Sequence, residues 1–260
     1  MTIVLIGALS YLLAALMLVR EVAREGDARS WLLPALGGLA FHAVTHVLAW
    51  NSAGGLDMHF FAALSLVGLG MAMLTTAFGA SGRMAALGVI VFPIAALLLL
   101  MYANVGHHVA EGLDWHLQLH AWFALLAYAT LAIAALLAVM LWLQERALRR
   151  RDIRGWLRAL PPLTELETLL FRTIAVGFIL LTATLLTGAL FVEDFFAQRL
   201  IEKSVLSVLS WLAFGALLLG RWRYGWRGAI AVHWTLAAMA LLVLAFFGSK
   251  FVLEVVLRRA

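Results

Sequence analysis

The stretch His120–Leu141, HAWFALLAYATLAIAALLAVML, carries no charged side chain over 22 residues. As a helix it is long enough to cross the roughly 30 Å of hydrocarbon in a bilayer. Outward from it, apolar runs of about 20 residues, the length a span needs, recur to both ends of the chain. With breaks at charge clusters, Gly and Pro, the spans fall near residues 2–20, 31–50, 58–79, 84–104, 117–143, 168–192, 204–220 and 228–253. The fold class is therefore all-α: a polytopic membrane protein with about eight transmembrane helices, forming a single transmembrane domain over residues 1–260. Composition agrees. With 65% hydrophobic and 13% charged residues and a mean hydropathy of +1.00, too little polar surface is left for a soluble domain of this length. The first span reads as a retained helix, because MTIVLIG has no basic n-region and no small-x-small cleavage site follows it.

Arginine placement sets the expected orientation. With the N-terminus outside, 14 of the 19 Lys and Arg residues fall on inner loops, the asymmetry of the positive-inside rule. Both termini then lie outside, and Arg199, Lys203, Lys250, Arg258 and Arg259 remain on the outer side. The high pI of about 10.2 follows from this asymmetry and implies contact with anionic membrane lipid, not nucleic acid. The chain has no cysteine, so it forms no disulfide, offers no thiolate to a metal and holds no heme covalently.

The longest inner loop, residues 144–167, is arginine-rich and contains Pro161-Pro162. Thr164 and Glu167 after it have the spacing of a capping box, which would start the sixth helix. Gly37-Gly38, Gly68, Gly70, Gly177 and Gly188 lie inside spans, where small residues let helices approach closely.

Seven of the eight histidines gather at the outer side: His107 and His108 in a loop, His116 and His120 at the start of the fifth span, His59 at the start of the third, and His42 and His46 in the second. His116/His120 and His42/His46 are i, i+4 pairs, each on one helix face. Ionisable groups at membrane depth usually face the bundle interior or a cavity, and neutral imidazoles suit a transition metal or heme iron. Zinc hydrolysis is disfavoured, because no HExxH motif and no carboxylate at helical spacing accompanies them. Heme is favoured: a flat apolar macrocycle fits between helices, and Phe41, Trp50, Phe60, Phe61, Trp122 and Phe123 lie at the level of the histidines.

The His-x7-Tyr-Ala-x-Leu pattern that begins at His120 resembles the cytochrome c assembly family of membrane proteins (CcsA/HemX-like), and in particular its YpjD-like inner-membrane branch. LPPLTELETLLFRTIAVGFILLTATLLTGALF, KSVLSVLSWLAFGALLLGRWRYGWRG and LAFFGSKFVLE are similar to the same branch, so the resemblance runs from about residue 115 to the end. FHAV in the second span is a weaker match. The resemblance implies a heme-handling fold in the bacterial inner membrane in which His120 matches an outer histidine able to ligate heme iron. Heme-lyase relatives also carry a tryptophan-rich loop between helices six and seven and a further outer histidine after helix eight. Here the loop reads FVEDFFAQRLIEKSVLS, with only Lys203 retained from that motif, and the tail has no histidine.

These readings converge on a heme-binding or heme-handling membrane protein that assists c-type cytochrome assembly without catalysing ligation by itself. His120 is the expected axial ligand, with His42 as second ligand and His46 or His116 as fallback; a lone axial His is also chemically acceptable. Arg199 and Lys203 are the candidate cations for the heme propionates. Partners would be membrane lipid, other cytochrome assembly proteins or an apocytochrome. The alternatives are a divalent-metal transporter that uses the outer histidines, and a non-enzymatic scaffold for another membrane complex.

Overall fold

The computed structural model describes residues 1–24, 29–53, 55, 58–80, 85–105, 114–150, 162–191 and 200–248. Within them run α1 (Thr2–Arg24), α2 (Leu32–Ala53), α3 (Phe60–Gly79), α4 (Gly88–Val105), α5 (Trp115–Arg149), α6 (Leu163–Phe191), α7 (Leu200–Tyr224) and α8 (Ala229–Val243). A 3-10 turn at Ala85–Leu87 precedes α4, and a π-helical turn at Leu244–Gly248 continues α8. Among the described residues eight helical segments are long and apolar enough to cross a membrane, and none is a strand.

The helices cluster as two compact units. The first comprises residues 1–112 with 152–161 and holds α1 to α4; the second comprises 113–151 with 162–260 and holds α5 to α8. Each closes a core of its own. In the first, α1 packs on α2 and α4 and α3 packs on α4, around Tyr11, Phe92, Leu99 and Tyr102. In the second, α5 packs on α6 and α8 and α7 packs on α8, around Leu131, Leu137, Ile174, Phe214 and Leu217.

Glycine sets the closest approach in each unit. A Cβ at Gly38 would stand 2.6–2.9 Å from the ring of Tyr11, and one at Gly177 would stand 2.5 Å from Leu131 Cδ2. Tyr11 is fully buried in a filled core, so its ring has little room to yield. Gly38→Ala is therefore expected to lower stability by about 1–3 kcal/mol, the usual cost of overpacking a filled core. Gly37→Ala is the control, because a Cβ there would meet only Ser10, at 3.6 Å. Thermal unfolding of both variants in detergent checks this; equal midpoints would rule out the tight contact.

The segment between α5 and α6 differs from the sequence reading. α5 continues through Arg149 and α6 begins at Leu163, so the loop placed at 144–167 is helical at both ends; residues 151–161 lie outside the described residues. The capping box is replaced by another arrangement. The N–H groups of Glu165 and Leu166 donate to the Pro162 carbonyl at 2.8 and 3.0 Å, and Thr164 lies inside the first turn. Glu167 is 2% exposed and turns to the α7–α8 connection, accepting from the Gly228 N–H at 2.9 Å and from Arg227 Nη2 at 3.0 Å. A carboxylate gains more from a guanidinium and a buried N–H together than from a neutral cap. Gly225 and Gly228 in that connection have φ of +67° and +57°, the left-handed region that glycine enters without a Cβ penalty.

Candidate functional site

Asp114 starts α5. Its carboxylate accepts from the Trp115 N–H at 2.8 Å and from His116 Nδ1 at 2.7 Å. The hydrogen bond from His116, and after it the one from Trp115, holds the Asp114 carboxyl below its ordinary range. The contact therefore persists through neutral pH and is lost as pH falls through that lowered value. The His116 ring lies against Trp115 and Phe191, at centroid distances of 3.6 and 4.6 Å.

One turn further on, His120 has a different setting. Its Nδ1 lies 3.1 Å from the Thr184 carbonyl and 3.2 Å from Thr187 Oγ1 on α6. A carbonyl only accepts, so Nδ1 carries the ring hydrogen and the neutral imidazole keeps its lone pair on Nε2. Thr187 already donates its own hydrogen to the Ala183 and Thr184 carbonyls, which leaves its oxygen free to accept from the ring. Gly188 permits this seat: a Cβ there would stand 3.1 Å from His120 Cε1. A histidine whose Nδ1–H is tied to a backbone carbonyl is the usual preparation for metal ligation through Nε2.

His120 lines a cavity of about 610 Å³ within the second unit, walled by α5, α6, α7 and the end of α8. That volume lies within the range of about 300–1,000 Å³ typical of small-molecule sites. Ala124 and Ala127 keep the α5 wall low, and Lys203, Ser204 and Ser207 bring polar groups from the start of α7. Tyr128, eight residues after His120, donates its hydroxyl to the Leu242 carbonyl at 2.6 Å. The π-helical turn follows directly, and its Ala245 and Phe246 complete the wall. Such turns occur often at functional sites.

The other histidine pair belongs to the first unit. His42 is fully buried; its Nε2 lies 2.9 Å from Ser65 Oγ and its Nδ1 lies 3.3 Å from the Tyr11 hydroxyl. His46 Nε2 reaches the same Ser65 oxygen at 3.0 Å, and its ring stacks on Tyr102 at 4.6 Å. His59 stacks on the same Tyr102 ring, with centroids 5.8 Å apart. Of the residues singled out in the sequence, His120 and Lys203 meet at one cavity, His42 and His46 meet at one serine, and His116 turns to Asp114. Arg199, His107 and His108 lie outside the described residues. Ser65, Trp211 and Gly188 were not legible as site residues, since a lone Ser, Trp or Gly in an apolar run leaves no local pattern. Among the described residues no three His, Cys, Asp or Glu side chains group as a metal site.

A family model described as "Cytochrome C assembly protein" matches residues 30–257 of the chain. The chain is similar to "Inner membrane protein YpjD" of Escherichia coli (strain K12), 36% identical over 137 residues, which is 53% of this chain and 52% of that protein. It is also similar to "Cytochrome c biogenesis protein CcsA" of Prochlorococcus marinus (strain MIT 9515), 32% identical over 89 residues, 34% of this chain and 28% of that protein. A third relative is "Protein HemX" of Brevibacillus brevis, 26% identical over 131 residues, 50% of this chain and 48% of that protein. The chain spans about half the length of the curated relatives that it matches first. No solved structure matches it.

Proposed function

Because the chain belongs to the cytochrome c assembly protein family, we propose that it is an inner-membrane protein that holds heme for c-type cytochrome biogenesis. The observation that carries this is the seat of His120: Nδ1–H is fixed on the Thr184 carbonyl and Nε2 keeps a lone pair at a cavity of suitable size. The donor set fits the group. Imidazole Nε2 ligates iron, low alanine walls accept a macrocycle, and Lys203 with Ser204 and Ser207 receives its carboxylates. Heme is cargo in this reading, and the chain's own part is to bind it, orient it and shield its faces from water. With the orientation that the arginines imply, His120 lies near the outer side, where an apocytochrome or another assembly protein would meet it.

A single protein imidazole, His120, is the arrangement we adopt; the Nε2 atoms of His42 and His46 are both engaged with Ser65 Oγ. His42→Ala is then expected to leave the hemin Soret band in place, with affinity within about twofold, and to lower the unfolding midpoint, because it empties a filled buried site. Loss of the band in that variant would make His42 a ligand and overturn the single-imidazole arrangement.

The test of the main reading is an absorption spectrum of the detergent-purified chain titrated with hemin. Saturable development of a Soret band at one heme per chain supports it. Folded protein that remains featureless would leave a non-enzymatic assembly scaffold as the better account.

A further inference from the structure

We propose that Trp211 is a stacking platform for a planar tetrapyrrole, so that the cavity beside His120 recognises the macrocycle itself, with or without iron. This rests on the heme reading above and extends it from the iron to the ring.

The indole of Trp211 is fixed in two directions. Within its plane, Nε1–H donates to Thr182 Oγ1 at 2.9 Å, and that hydroxyl is held in turn by donating to the Phe178 carbonyl at 2.7 Å. Behind its plane lies the Phe178 ring, with centroids 5.4 Å apart and planes 17° from parallel. Gly215 makes room for that ring, since a Cβ there would stand 3.3 Å from it. Phe178 backs one face of the indole, while Trp211 itself lines the cavity. An aromatic wall ordered before the ligand arrives loses little freedom on binding, and a π-face gains most from another flat π-system laid parallel to it.

Sequence spacing gives the rest of the template. Lys203, Ser207 and Trp211 are i, i+4 and i+8 on α7, one per turn on a single face, and all three line the cavity. Cation and indole are thus separated by about 12 Å of helix axis. A flat body with acidic groups on one edge matches that order: carboxylates toward Lys203 and Ser207, ring face on Trp211. None of these contacts involves a metal. Iron adds only the bond to His120.

The experiment titrates the full chain in detergent micelles with iron-free protoporphyrin IX, followed by porphyrin fluorescence and induced visible circular dichroism against empty micelles. Parallel titrations use hemin. The parent is expected to bind protoporphyrin IX. Trp211→Leu, which keeps apolar bulk but no π-face, is expected to weaken it by roughly three- to tenfold and to collapse the induced dichroism. Trp211→Phe should restore most of both. If Trp211→Leu binds like the parent, or if the parent takes hemin through His120 but refuses protoporphyrin IX, the platform is overturned while the heme reading stands. If folded parent binds neither compound, both fall. Should Trp211→Leu not fold, Thr182→Val decides, because it frees the indole without removing it and is expected to reduce the induced dichroism; an unchanged signal there overturns the platform.

Discussion

His120→Ala is expected to lose the imidazole-ligated Soret band that hemin gives in the parent and to show that of hemin without a protein ligand, with affinity down by at least tenfold. The reason is specific to this ring. In the proposed arrangement Nε2 is the ring nitrogen left for iron, because Nδ1 is committed to the Thr184 carbonyl. Stability should change little, since His120 is only half-buried and its two contacts, at 3.1 and 3.2 Å, are single hydrogen bonds. Added imidazole should restore the band by entering the emptied site. Gly188→Ala should give an intermediate result, because its Cβ would press on His120 Cε1 and tilt the ring off its seat. A normal Soret band at equal hemin in His120→Ala would end the assignment of this residue.

Glu167→Ala is expected to destabilise the fold through a buried backbone group more than through its ion pair. The carboxylate is 2% exposed, and its partner at Gly228 is a buried backbone N–H at the entry to α8. Removing the acceptor leaves that N–H unsatisfied, at a cost of about 1–3 kcal/mol. Arg227 contributes less, because its side chain is 59% exposed and water replaces the lost partner. The variants should therefore rank unevenly: Glu167→Ala far below the parent, Glu167→Gln between them because its amide oxygen still accepts from Gly228, and Arg227→Ala close to the parent. Unfolding midpoints in one detergent read this order. Equal losses in Glu167→Ala and Arg227→Ala would mean that the ion pair, not the backbone bond, holds the connection.

The spans were legible because a bilayer demands length and apolarity together, and a run such as His120–Leu141 meets both whatever it packs against. The helix partners of α5 were not, since they are chosen by side-chain fit, as where Leu131 fills the space left at Gly177. Thr164 and Glu167 show the limit of local motifs: the spacing was right for a cap, but a partner 61 residues away took the carboxylate. At the site, the histidines were visible as helical stripes, yet nothing in their spacing distinguishes His116, turned to Asp114, from His120, tied to Thr184. That distinction depends on α6. The wall built by Trp211, Thr182 and Phe178 was hidden for the same reason, because its order comes from two helices meeting.

The serine between His42 and His46 has a consequence of its own. One hydroxyl owns one hydrogen, so when both rings are neutral Ser65 donates to one Nε2 and accepts from the other. The two imidazoles must then be opposite tautomers, and neither can switch unless the other does. They form a single element with two settings, and Tyr11, which touches only His42, makes those settings unequal. Ser65→Ala would uncouple them, and the nitrogen chemical shifts of the two rings would no longer move as a pair.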